Sequence, residues 1–214
     1  MELISPTDSM FLLAESREHP MHVGGLQLFE PPEGAGPDFV REIYASLITR
    51  EDVQPTLRKP PAELLAGIAN IAWSFDRDLD LEYHLRRSAL PSPGRVRELL
   101  ELTSRLHGTL LDRHRPLWEA HLVEGLNDGR FAVYTKVHHS LLDGVSAMKT
   151  MRRALSTDPQ DSELRVPWAL APRTRSKDKP RSSRLGDLTR VAGSVAGLGP
   201  SVWTLARAAL LEQQ

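Results

Sequence analysis

The stretch that decides the fold is Phe131-Ala132-Val133-Tyr134-Thr135-Lys136-Val137-His138-His139-Ser140-Leu141-Leu142-Asp143-Gly144. Its first seven residues are rich in β-branched and aromatic side chains, which predicts a strand. Two histidines stand where this strand ends, and Gly144 permits a sharp turn. From Val145 to Leu155 the apolar residues recur at helical spacing. The segment therefore predicts a strand, a polar turn and a helix, in that order.

Strands and helices alternate on the N-terminal side of this segment. Trp118 to Val123 predicts a partner strand, because Asn127-Asp128-Gly129 marks a hairpin turn before Phe131. Further strands are predicted at His22 to Phe29, Ile71 to Phe75 and Leu79 to Leu85, and helices from Ser5 to Ser16, Asp38 to Thr49 and Pro93 to Leu111. This order predicts an α/β (α+β) two-layer sandwich for residues 1–155.

Composition narrows the class of protein. The chain has 214 residues, 40% of them hydrophobic and 26% charged, which is enough for a sizeable core. It has no cysteine, which excludes disulfides, cysteine-bound metal and thiol nucleophiles. The net charge is −1, and the basic excess lies in residues 172–190, so the acidic remainder argues against a nucleic-acid partner.

The two ends of the sequence bear on localisation and on domain boundaries. Met1 to Pro6 lacks the features of a secretory signal, and Val191 to Ala206 is too short to span a membrane, so we expect a cytoplasmic protein. The first domain is residues 1–155. Residues 156–184 predict a flexible basic linker rich in Pro and Ser, and residues 185–214 predict an apolar, small-residue-rich helical tail.

The two histidines with Asp143 and Gly144 form a candidate site for proton transfer, because imidazole titrates near neutral pH. Adjacent side chains on a strand point to opposite faces, so only one histidine can face a given cleft. The same geometry argues against Ser140 as a nucleophile served by His139. The simplest alternative is a pair of structural histidines with no chemistry.

A metal site is a weaker alternative. His107, His114 and His121 recur every seven residues, but Pro116 interrupts any helix that would align them, so we expect no metal. For Trp118, a core position and a substrate contact both stay open.

His138-His139-Ser140-Leu141-Leu142-Asp143-Gly144 resembles the HHxxxDG motif of the CoA-dependent acyltransferase superfamily, which includes chloramphenicol acetyltransferase and condensation domains. Leu3 to Asp8, Pro20 to Gly25 and Arg115 to Glu119 resemble the bacterial wax ester synthase/diacylglycerol acyltransferase family, in its mycobacterial-type triacylglycerol synthase branch. The resemblance covers most of residues 1–155 and implies one half of a chloramphenicol-acetyltransferase-like fold.

The resemblance implies a role for each motif residue. His139 would be the general base, and His138 would assist or support it. Asp143 would be structural and pair with an arginine, while Gly144 permits the turn. Pro116-Leu117-Trp118 matches the family's PLW motif, which is credited with shaping the N-terminal half and its acyl channel.

The implied reaction joins acyl-CoA, as co-substrate, to diacylglycerol or a long-chain alcohol, with no bound cofactor. Family enzymes have two similar halves, so the resemblance implies that this chain is the N-terminal half and is inactive without a complementing C-terminal half. Because the substrates are lipids, peripheral contact with the inner membrane face or a lipid droplet is open. The alternative is an inactive fragment that acts as a lipid-binding or interaction module.

Overall fold

A computed structural model describes residues 2–62, 72–158, 161 and 163–170. The helices are α1 (Pro6–Ala14), α2 (Phe39–Ile48), α3 (Leu81–His84), α4 (Val96–Gly108) and α5 (Gly144–Ala154), with 3-10 turns at Pro55–Arg58 and Pro167–Ala169. The strands are β1 (Glu2–Leu3), β2 (His22–Phe29), β3 (Pro61–Ala62), β4 (Ala72–Trp73), β5 (Leu85–Ala89), β6 (Trp118–Glu124) and β7 (Phe131–His138).

Four of these strands form the main sheet, in the order β2-β7-β6-β5. β7 pairs antiparallel with β2 and β6, whereas β5 runs parallel to β6. β1, β4 and β3 form a second, smaller antiparallel sheet. The predicted hairpin of β6 and β7 is confirmed, and so is the mixed α/β class.

Helices lie on both faces of the main sheet. Val40 and Leu47 of α2 pack in one cluster with Leu122, while Leu99 of α4 packs in another with Val123. Because neighbouring strand residues point to opposite faces, α2 and α4 cover opposite sides. Lys136 and His138 share the face that α4 covers, since residues two apart on a strand point the same way.

One predicted strand is wrong. The pattern of Leu79 to Leu85 predicts an extended chain, but residues Leu81–His84 form α3, and β5 begins at Leu85. The Asp80 carboxylate accepts a hydrogen bond from the Tyr83 backbone N–H at 3.1 Å, which caps a helical turn. This local cap outweighs the apolar pattern. Of the strand predicted at Ile71 to Phe75, only β4 forms among the residues the structure describes.

The folded unit also extends beyond the boundary predicted at residue 155. Val166 and Trp168, which the composition assigns to the flexible linker, are buried in the cluster that contains α2. The Trp168 ring stacks on Trp118 with centroids 5.7 Å apart. Burial of these two side chains stabilises a segment that has no apolar periodicity of its own. The rest of the linker and the predicted tail lie outside the described residues.

A helix that spans a bilayer needs about 20 predominantly apolar residues. None of the described helices is both long and apolar enough to cross a membrane.

Candidate active site

His138 is completely buried at the end of β7, and both of its ring nitrogens face polar groups. The Ser140 backbone N–H donates to Nδ1 at 3.1 Å, and Ser140 Oγ lies 2.7 Å from the same atom. Because a backbone N–H can only donate, Nδ1 must be the unprotonated nitrogen, and the proton sits on Nε2. That nitrogen faces Glu15 Oε1 at 3.3 Å, outside the limits of a regular hydrogen bond.

Glu15, directly after α1, is the site residue that sequence reasoning missed. Its side chain is 1% exposed and accepts hydrogen bonds from the Arg113 guanidinium at 3.1 Å and from the Met21 N–H at 3.3 Å. Burial acts to raise the pKa of Glu15, but contacts with His138, Arg113 and Met21 outweigh it and lower the pKa to about 2. The carboxylate is therefore charged inside the protein.

A local signal for Glu15 did exist in the sequence. A negative charge at a helix C-terminus opposes the helix dipole, so an acidic residue there suggests a partner elsewhere in the fold. Nothing in the sequence identifies that partner.

His139 has a different environment from its neighbour. Its backbone N–H donates to Met21 O at 2.8 Å, and its ring stacks on Phe11 with centroids 4.2 Å apart. Nδ1 is buried without a hydrogen-bond partner, whereas Nε2 is not among the buried atoms and has no partner within the described part of the chain. The structure thus encloses one histidine of the pair and leaves one nitrogen of the other accessible.

Ser140, His138 and Glu15 have the composition of a nucleophilic triad, but all three are enclosed. Ser140 is 6% exposed and closes a two-residue turn onto the histidine ring. A nucleophile must reach a substrate carbonyl, so this arrangement supports the turn and does not supply an attacking oxygen.

Asp143 begins α5. Its carboxylate accepts hydrogen bonds from the Ser146 backbone N–H at 2.9 Å and from Ser146 Oγ at 2.8 Å. Within the described residues Asp143 forms this helix cap and no ion pair with an arginine, and the two hydrogen bonds lower its pKa. Gly144 is the first residue of α5, where the chain leaves the turn.

Pro116, Leu117 and Trp118 are all buried and lead into β6. Leu117 O accepts the His138 backbone N–H at 2.9 Å, which joins this segment directly to the histidine turn. Trp118 lies in the core: its ring stacks on His84 with centroids 4.6 Å apart, and its Nε1 donates to Leu57 O at 2.8 Å. The core position is one of the two alternatives that the sequence leaves open for this residue.

Replacing Trp118 by alanine should lower the free energy of unfolding by about 3 to 5 kcal/mol, because the substitution removes a large buried aromatic ring that stacks on two others. Chemical denaturation followed by circular dichroism measures this decrease. Trp118→Phe is the matched control: it keeps most of the volume and removes the hydrogen bond, at a cost of about 1 kcal/mol. A cost below about 1 kcal/mol for the alanine variant would contradict the core assignment.

Two adjoining cavities lie between α5 and the sheet, with volumes of about 220 Å³ and 80 Å³. Thr135, Met151 and Trp168 line both of them. The smaller one is also lined by Val137 and Leu142, which flank the histidine turn in sequence. Aliphatic and aromatic side chains supply most of the lining, so the space suits a hydrocarbon chain.

The arrangement can therefore accept a proton at one accessible imidazole nitrogen of His139, which lies in a turn whose flanking residues Val137 and Leu142 line apolar space. The three histidines at seven-residue spacing lie on different elements: His107 is in the last turn of α4, His114 lies in a loop and His121 is buried on β6. No group of three or more potential metal ligands occurs among the described residues.

Comparison with known proteins identifies the family. The family model of the wax ester synthase/diacylglycerol acyltransferase catalytic domain matches residues 4–214 of the chain. The chain is 65% identical over 215 residues to a Mycobacterium tuberculosis H37Rv protein named "Probable diacyglycerol O-acyltransferase tgs2", and 58% identical over 211 residues to a second one, named "Putative diacyglycerol O-acyltransferase Rv3740c". These matches cover 100% and 99% of the chain but 47% of each relative, so the chain spans about half their length.

Solved structures of two proteins are also similar to this chain. The wax ester synthase/diacylglycerol acyltransferase from Marinobacter aquaeolei VT8 matches with a TM-score of 0.73 and 48% identity, over 78% of this chain and 42% of that one. The starter condensation domain of rhizomide synthetase RzmA matches with a TM-score of 0.51 and 14% identity, over 72% of this chain and 37% of that one, and is similar in fold alone. The chain belongs to the wax ester synthase/diacylglycerol acyltransferase catalytic domain family.

Proposed function

We propose that this chain carries the catalytic base of an acyl-CoA-dependent O-acyltransferase of the diacylglycerol O-acyltransferase or wax ester synthase type. The observation that carries the proposal is the accessible Nε2 of His139, directly after β7, which has no hydrogen-bond partner among the residues that the structure describes. Family membership supports the reaction class, since the relatives are named as acyltransferases.

In the proposed reaction, His139 Nε2 takes the proton from the hydroxyl of diacylglycerol or a long-chain alcohol. The oxygen attacks the thioester carbonyl of acyl-CoA, the carbon–sulfur bond breaks, and the proton passes to the leaving thiolate. The products are an ester and free CoA. No acyl-enzyme intermediate is required, which agrees with a chain that has no cysteine. His138 supports the turn that holds the base and does not itself touch the substrate.

The apolar space beside α5 supports the substrate class. A fatty acyl or alkyl chain would enter from the side of Val137 and Leu142, next to the histidine turn, and lie against Met151 and Trp168. Burial of its methylene groups would contribute about 0.8 kcal/mol each.

The surface beside the site supports a second half as partner. Met10 and Leu13 of α1 and Val145 and Met148 of α5 are each more than half exposed. Exposed apolar side chains grouped around a site mark an interaction surface. We propose that they pack against the half that the longer relatives possess and this chain does not match. Contact with a membrane or a lipid droplet stays a prediction.

The test is reconstitution. Residues 1–214 are assayed with labelled palmitoyl-CoA and either dioleoylglycerol or hexadecanol. The chain is assayed by itself and in a mixture with the C-terminal half of the Mycobacterium tuberculosis relative that is 65% identical to it. We expect little or no ester from the chain alone and clear ester formation in the mixture. The preferred acceptor separates diacylglycerol transfer from wax ester synthesis.

Two results would contradict parts of the proposal. Full turnover by residues 1–214 alone would refute the need for a second half. A folded mixture that binds acyl-CoA but forms no ester, with binding unaffected by His139→Ala, would favour the lipid-binding module instead.

A further inference from the structure

Lys136 is a fully buried lysine, two residues before His138 on the same face of β7. Its ammonium group has three donors and three acceptors around it. Leu106 O lies at 2.7 Å, Thr109 O at 2.8 Å and Glu119 Oε1 at 2.6 Å. The charge is thus completely satisfied without water.

Glu119, directly opposite Lys136 on β6, is the charged partner. Burial acts to raise the pKa of Glu119, but His121 and Lys136 outweigh it and lower the pKa to about 2. A buried ion pair is a weak source of stability, because apolar side chains of similar volume often replace it at no cost. The stability of the fold alone therefore gives no reason for this pair.

The contacts of the pair suggest another reason. Thr109 lies at the start of the loop between α4 and β6, and Glu119 lies just after its end, so Lys136 holds both flanks of that loop. Inside the loop, Arg113 donates to Glu15 and to Leu12 O, at 3.1 and 2.6 Å.

The same loop therefore determines two contacts of His138. Arg113 orients Glu15, which faces the Nε2 of that histidine, and Leu117 O accepts its backbone N–H at 2.9 Å. A shift of the loop would change both contacts together.

We propose that Lys136 and Glu119 are positioning residues: by clamping residues 109–117 they hold Glu15 against His138, and so set the place of the neighbouring base, His139. The inference rests on the proposed function, since it assigns a purpose to the position of His139. Neither residue touches a substrate.

The test separates positioning from stability with the paired variant Lys136→Met/Glu119→Leu, which removes both charges and keeps the volume. The matched control is Arg97→Met/Glu101→Leu, which removes an exposed ion pair of α4. Ring-nitrogen NMR of histidine-labelled chain, residues 1–214, measures the chemical shift of His138 Nε2, the nitrogen that faces Glu15, and needs no substrate. The reconstituted mixture supplies kcat and KM.

We expect the buried-pair variant to melt near the wild-type temperature, to show a shifted His138 Nε2 resonance, and to lose about 10²-fold in kcat with little change in the KM for acyl-CoA. The control should match the wild type in all three. A wild-type Nε2 resonance together with wild-type kcat in the buried-pair variant would overturn the inference.

A second variant keeps the inference testable if the buried-pair variant does not fold. Arg113 is partly exposed, so Arg113→Gln removes the link through the loop without opening the buried pair. It should reproduce the shifted Nε2 resonance, and a wild-type Nε2 resonance would overturn the inference. Failure of the proposed function is distinguishable, because it would appear as an inactive wild-type mixture with the His138 signals unchanged.

Discussion

Replacing His139 by alanine is expected to lower the kcat of the reconstituted enzyme by about 10²- to 10⁴-fold, because the base that accepts the hydroxyl proton is removed. The fold should tolerate the change. The side chain is only partly buried, and the substitution removes its stack on Phe11, which is worth about 1 kcal/mol. Ester formation from palmitoyl-CoA measures the first effect, and chemical denaturation measures the second.

The matched control for this variant is His114→Ala. His114 is exposed in the loop before β6, and its described hydrogen bond is made by its backbone. It should keep both activity and stability. If His139→Ala retains more than about a tenth of the wild-type kcat, residue 139 is not the base.

Glu15→Gln should cost about 3 kcal/mol of unfolding free energy at pH 7, the low end of the range for breaking a buried charge network. The replacement keeps the shape of the side chain and removes the charge that Arg113 and His138 face. Urea denaturation measures this cost. Glu18→Gln, three residues further on at an exposed position, should change stability by less than about 0.5 kcal/mol.

The same residue gives the protein a predictable acid sensitivity. The pKa of Glu15 falls from 4.5 to about 2 on folding, so its stabilisation is fully present above pH 4.5 and is lost as the pH falls toward 2. A shift of this size corresponds to about 3 kcal/mol. The difference in unfolding free energy between wild type and Glu15→Gln should shrink across that window. A difference that stays constant from pH 5 to pH 2.5 would show that the carboxylate charge is not the stabilising group.

Much of the fold followed from local pattern. Alternating apolar residues and an Asn-Asp-Gly turn were sufficient for the hairpin of β6 and β7, and the apolar stripe after Pro93-Gly94 was sufficient for α4. The strand predicted from Leu79 to Leu85 is wrong because the Asp80 side chain caps a helical turn, so part of this apolar run forms α3. Composition assigns Trp168 to a linker. The burial of Trp168 against Trp118 depends on a residue distant in sequence, so the neighbouring residues contain no pattern that predicts it.

The sequence by itself determined that two histidines end a strand and precede a turn and a helix, and it was sufficient to indicate the family, because turn chemistry and strand alternation act between near neighbours. Only the tertiary structure decided which histidine is enclosed and which keeps an accessible nitrogen. That choice depends on Glu15, on Arg113, 98 positions away from it, and on the ring of Phe11. Contacts between such distant residues arise only when the chain has folded, so no local pattern contains them.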